Sequence, residues 1–419
     1  MDFRGDRMTK LRLMAAIAGV AASLASSVLA SQPQLATGSG GAEPYTGHSQ
    51  LGSYMAGRFA RGQYDTAAAA QLYKLALDRD PGNETLLKNA FLAEISVGNW
   101  KRASLLADQV VKAEPGNRIA RLYLGARQFG AKAYDSAEEH FKAASAGPVG
   151  ELTATLARAW TQTAKDDNKT AFDLLDGMKQ VDWAQHYQRY HRALIADVTG
   201  RRAIARQNYE KMFETDTRSL RPTLAYAAHA VQSGNADVAR RVLAKHIEST
   251  PPAHPLARAM AADLAAGREV GLIVNSPGEG LAEVFYGLGE VLASEGGIDI
   301  GTIYLQLALF LRPDSTLALT ALANVYETTK QFDQAIATYD RIPRSSPLNA
   351  NIEIRKAFNL NQLEHVDEAK VLLEGLAKRE AGDLRPLDAL GNIMRARKRF
   401  EEAVVYYGRA IRLIDKPTK

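Results

Sequence analysis

The chain has no cysteine and eight histidines among its 419 residues, which removes thiolate nucleophiles, cysteine metal sites and disulfides together. The histidines do not assemble a site by spacing. His186 and His191 stand five residues apart, on different faces of a helix, where they are poor joint metal ligands. His140 follows Glu138 and Glu139 and reads as part of a solvated charge cluster, and His246 falls where equivalent positions carry Ala, Val, Met or Ile and reads as a core or half-buried side chain. No serine sits in a nucleophile elbow. No phosphate loop with a following Lys-Ser or Lys-Thr is present, and Gly278-Glu279-Gly280 lacks the preceding strand that a dinucleotide site requires. The sequence therefore predicts no catalytic group, no metal and no cofactor, and a protein that is not an enzyme. The chemistry left to it is non-covalent recognition by aromatic and amide side chains.

Charge narrows the partner. A formal net charge of +5 arises from 52 basic and 47 acidic residues, spread along the chain, which argues against nucleic acid. Residues 1–30 read as a targeting segment: Arg4, Arg7, Lys10 and Arg12 precede an apolar run from Leu13 to Val28, closed by small residues around Ala30. Cleavage there exports the chain to the periplasm or cell envelope; retention anchors it in the inner membrane, the one condition for membrane contact. Residues 31–49, rich in Gly, Ser, Pro and Thr, read as a flexible leader.

The elements that must position the recognition residues follow from a period of 34. With starts at 50, 84, 118, 152, 186 and 220, position twenty is Ala69, Ala103, Ala137, Ala171, Ala205 and Ala239. With starts at 282, 316, 350 and 384, it is Gly301, Ala335, Ala369 and Ala403. Small residues at position eight (Gly125, Gly289, Ala323, Ala357, Gly391) and bulky ones at position twenty-four (Phe141, Tyr339, Leu373, Tyr407) complete the pattern, which predicts two antiparallel helices crossing closely in each repeat. Asp80-Pro81-Gly82-Asn83 and Glu114-Pro115-Gly116-Asn117 carry the same acidic-Pro-Gly-Asn punctuation 34 residues apart, with the asparagine placed to cap the next helix. The frame fails over 254–281. Residues 256–267 have helical spacing, but Val270 to Gly278 is extended, and predicts either a hinge or docking segment or a spacer laid on neighbouring helices.

These residues resemble a tetratricopeptide repeat, over nearly all of 50–419, and the chain is similar to exported envelope proteins of that family. The resemblance implies an all-α solenoid of about ten helix-turn-helix repeats in two blocks: six at 50–253, an irregular or degenerate stretch at 254–281, and four at 282–419. It also implies a non-catalytic scaffold or adaptor that binds a peptide or helix in its concave groove, the alternative being an anchored assembly factor for envelope polysaccharide export or outer-membrane biogenesis. In the family, positions two, five, nine and twelve face the groove. In the first block these include Tyr54, Leu92, Ile95, Leu122, Phe129, Leu156, Trp160, Tyr187, Tyr190 and Leu194. In the second they include Tyr286, Asn324, Glu327, Phe358, Asn361, Asp388, Asn392 and Arg395. The clamp with which some relatives hold an acidic peptide tail is not matched, since position five of the last three repeats is Thr320, Ile354 and Asp388 rather than lysine.

Overall fold

A computed structural model of the chain describes residues 49–178 and 182–414. The targeting segment at 1–30 and the leader up to residue 48 lie outside them. Among the described residues there are twenty-one helices and no strand. Six hairpins come first: α1 (Gln50–Gly62) and α2 (Thr66–Arg79), α3 (Glu84–Ser96) and α4 (Trp100–Ala113), α5 (Arg118–Gly130) and α6 (Tyr134–Ala143), α7 (Gly147–Ala164) and α8 (Asn168–Asp176), α9 (Asp182–Val198) and α10 (Arg202–Thr215), α11 (Leu220–Gln232) and α12 (Ala236–Ser249). A single helix α13 (Pro255–Ala265) follows, then α14 (Pro277–Ser294) with α15 (Ile298–Leu311), α16 (Thr316–Thr328) with α17 (Phe332–Tyr339), α18 (Asn349–Gln362) with α19 (Val366–Arg379), and α20 (Arg385–Ala396) with α21 (Phe400–Ile411).

The local reasons match the repeat pattern. Every alanine at position twenty is buried, from Ala69 at 1% exposed to Ala403 at 4%. The position-eight glycines Gly125 and Gly391 lie beneath aromatic rings, those of Phe141 and Tyr407: a Cβ on Gly391 would come within 2.4 Å of the Tyr407 ring. A larger side chain there would force the hairpin apart. Asn83 and Asn117 cap as their spacing predicts, the Asn83 Oδ1 accepting from the Thr85 and Leu86 amides at 3.1 Å and the Asn117 Oδ1 from the Ala120 amide at 3.1 Å.

One regularity is invisible in residue type. Position fifteen, the turn inside each hairpin, is left-handed in all ten repeats, and only four of those residues are glycine: Gly98, Gly200, Gly234 and Gly296. Tyr64, Lys132, Asp166, Lys330, Glu364 and Lys398 take the same conformation with φ between 60° and 67°. The turn is thus imposed by the packing of the two helices it joins, against a local cost of about 1–2 kcal/mol for a side chain with a Cβ.

The described chain forms two compact units, one ending at Pro313 and one beginning at Asp314. The break between the compact units falls after α15 rather than in the stretch at 254–281. The irregular stretch is present, with α13 unaccompanied by a second helix, but it lies inside the first unit. Val270 and Val274 are buried there, and the Val270 carbonyl accepts from the Gln232 side chain at 2.8 Å. The stretch is therefore a spacer laid on its neighbours. It returns the chain so that α14 and α15 pack on earlier helices, because α15 is apolar on every side and must be covered all round.

Candidate functional site

The face on which the sequence places an aromatic groove is filled by the chain itself. In the first unit α14 lies against α7 and α9, and α15 against α3 and α5, which are the first helices of successive repeats. Gly280 of α14 sits beneath the indole of Trp160 so closely that a Cβ would fall 2.3 Å from ring atoms. Gly278 lies beside Phe129, and Gly287 beside Tyr187. On α15, Tyr304 shares a 3.0 Å hydrogen bond with Thr153, the Gln306 amide donates to the Ser96 carbonyl at 2.9 Å, and the Phe310 ring stands 4.9 Å from that of Trp100. Asp299 pairs with Arg61 at 2.9 Å.

Apart from Tyr54, Leu92 and Tyr187, which are half-buried, the first-block groove residues are accordingly core, and their assignment to a partner is corrected. Trp160 is 0% exposed, and Phe129, Tyr190, Ile95, Leu122, Leu156 and Leu194 are buried with it. Tyr187 is half-buried against α14, and Tyr54 packs within its own repeat, 6.2 Å from the Tyr73 ring. Position alone directs these side chains to one face; it does not say what covers that face.

A polar network that sequence reasoning missed fastens the hairpin. Glu283 accepts from the Tyr190 hydroxyl at 3.0 Å and from the Arg221 Nε at 2.8 Å, with a second bond from the Arg221 Nη2. Burial by itself would raise the Glu283 carboxyl, but the Arg221 charge and these hydrogen bonds outweigh it and hold the group below the usual carboxylate range. Next to it, the Trp160 Nε1 donates to the His191 Nδ1 at 3.0 Å. Burial pushes His191 down to about 4, so the ring is the neutral acceptor that this bond requires. A second buried trio ties α9, α10 and α11: Asp197 accepts from the Tyr209 hydroxyl at 2.9 Å and pairs with His229. Among the described residues no serine or threonine is bonded to it, and its bonds join the three helices. His246 is buried as expected, its Nδ1 2.9 Å from the Thr217 carbonyl. His140 is half-buried against Arg121 rather than merely solvated. Among the described residues no three His, Asp or Glu side chains converge as metal ligands, and no helix is long and apolar enough to cross a membrane.

The depressed His191 value has a definite pH consequence. Above pH 6.5 the ring is neutral whether the chain is folded or not, and its contribution is fully present; as pH falls from 6.5 towards 4 the unfolded chain takes up a proton that the folded one refuses. About 3 kcal/mol of stability should be lost over that window. Urea midpoints measured across it should fall more steeply for the native chain than for His191→Gln, which keeps an acceptor for Trp160 without the titration. Parallel pH profiles would contradict the assignment.

In the second unit the first helices α16, α18 and α20 present the face expected to carry Asn324, Asn361, Asn392 and Arg395. Asn324 and Asn392 hold equivalent positions and equivalent bonds: the Tyr339 hydroxyl donates to the Asn324 Oδ1 at 3.1 Å, and the Tyr407 hydroxyl to the Asn392 Oδ1 at 2.9 Å. Each tyrosine thus fixes its amide, and the Asn392 nitrogen donates on to Asp388 at 3.0 Å. Between them, at the same position of its repeat, Phe358 is 39% exposed. Arg395 is exposed. Asn361 departs from the expectation: it is buried, and its carbonyls hold Arg397, with Nε donating to Oδ1 at 2.7 Å, so it braces the turn after α20.

A family profile described as a tetratricopeptide repeat matches residues 318–348. Anaphase-promoting complex subunit 3 of Schizosaccharomyces pombe is 27% identical over 134 residues, which are 32% of this chain and 20% of that protein, so the similarity spans about one fifth of the relative. Among solved structures, MamA is 16% identical with 55% of this chain and 96% of that one covered, at a TM-score of 0.30. The Naa15/Naa10 complex bound to HypK-THB is 14% identical over 87% of this chain and 65% of that one, at 0.34. The matched repeat, set among further helix pairs that keep its 34-residue frame on both sides, makes this chain a tetratricopeptide-repeat protein.

Proposed function

We propose that this chain is a non-catalytic scaffold in the cell envelope that binds a protein segment along the first-helix face of its second unit. Its membership of the repeat family supports the coarse reading, a protein–protein interaction scaffold. The finer reading is carried by one contrast: the equivalent face of the first unit is filled by α14 and α15, whereas Phe358 stands 39% exposed in line with two tyrosine-held asparagines. An exposed aromatic supplies apolar contact. The flanking amides and Arg395 supply bonds to a peptide backbone or an acidic side chain, a combination suited to an extended segment. The placement in the envelope is supported by the basic and apolar pattern of residues 1–30.

The test is capture from solubilised envelopes of the native host with the full chain as bait. Phe358→Glu should lower recovery of the bound protein by about tenfold to a hundredfold, the value of one buried aromatic contact, with no change in melting temperature. Leu51→Glu, at an exposed site of the first unit, should leave recovery unchanged. Equal recovery by the Phe358 variant and the native chain would remove the groove from the mechanism. The intact mass of the chain in the same preparation reports whether residues 1–30 are cleaved or retained as an anchor for the alternative, an assembly factor.

A further inference from the structure

The last described helix, α21, buries only one side. Ala403, Tyr406 and Ala410 pack into the core of the second unit, while Val404 is 70% exposed, Ile411 63%, Phe400 60% and Val405 58%. Here the exposed face is apolar along its length, with one acidic and one basic side chain at its two ends. Glu401 and Arg412 are both exposed, and neither has an ion-pair partner among the described residues. They are eleven residues apart, which is three helical turns and about 16 Å along a single face. Between them lies Gly408, where an added Cβ would meet nothing nearer than 3.9 Å.

We propose that this face binds the same face of a second copy, α21 against α21 in antiparallel orientation. A two-fold pairing that sets Glu401 opposite Arg412 of the other chain also sets Val405 opposite Gly408, twice each by symmetry. The glycine lets the helix axes approach, the valines and Ile411 leave water, and both charges acquire partners. Self-complementarity of this kind selects a second copy over a foreign helix, because one helix supplies the acid, the base, the knob and the gap. The surface is separate from the first-helix face, so the two readings fail independently.

The experiment is sedimentation equilibrium of the full chain. The native protein should form a dimer. Val404→Glu should make it a monomer at the same concentration with an unchanged melting temperature, since the residue is at the surface. Glu401→Arg and Arg412→Glu should each weaken dimerisation by roughly tenfold through paired like charges, and an equimolar mixture of the two variants should restore it, because every contact in the mixed dimer then joins opposite charges. A monomeric native chain at about ten times the concentration of a typical micromolar dissociation constant would overturn the proposal. So would association that survives Val404→Glu, open-ended growth in mass, or failure of the mixture to recover.

Discussion

Glu283→Ala is expected to destabilise the first unit by about 3–5 kcal/mol, the cost of leaving a buried cation without its anion. The Arg221 side chain is 17% exposed and that of Glu283 8%, so water does not replace the carboxylate. The loss combines the guanidinium's uncompensated desolvation with the unmet hydroxyl of Tyr190. All three tryptophans, Trp100, Trp160 and Trp183, lie in the first unit, so urea unfolding followed by their fluorescence reports that unit alone. The double variant Arg221→Met with Glu283→Leu is the informative companion. It removes both charges and keeps apolar volume, and should cost clearly less than Glu283→Ala, since an ion pair of this kind fixes the seat of a helix more than it adds net stability. A single variant within 1 kcal/mol of the native chain would show that α14 is not seated on α9 and α11 as described.

Trp160→Ala carries the second large effect, about 3–5 kcal/mol for an emptied aromatic site. Trp160 is 0% exposed, is covered by the backbone of Gly280, and holds its Nε1 proton on His191. As a groove residue it would be dispensable for folding and its removal would weaken partner binding alone; as a core residue its removal lowers the urea midpoint first. Fluorescence from Trp100 and Trp183 remains to follow the transition. A folded variant of native stability would restore the open groove and remove the argument that α14 and α15 occupy it.

The two outcomes bear on how much of this protein is legible in one dimension. The register of ten hairpins follows from a small residue at position twenty, alanine in nine repeats and glycine in one, and from turn residues at Asp80–Asn83 and Glu114–Asn117, all of them local to one 34-residue period. The left-handed turn at position fifteen did not show, because Tyr64, Lys132 or Glu364 is no marker of positive φ; helix packing imposes it. A signal for the filled groove was nevertheless present in residues 298–311. Apart from Asp299 that segment has no charged side chain, and a helix without a polar face must be enclosed. Reading it only as the second helix of a repeat concealed that requirement.

The sequence by itself determined the helix pairs, their close crossings, their caps and the residues that share a face, because those features depend on neighbours within one 34-residue period. Only the tertiary structure decided which face is open. The bonds that close the first one join residues far apart in the chain, Tyr190 to Glu283 across 93 positions and Ser96 to Gln306 across 210. Such pairings obey no period; they arise where an all-apolar helix finds, on an earlier run of first helices, enough apolar surface to leave water and enough polar partners to satisfy what it buries.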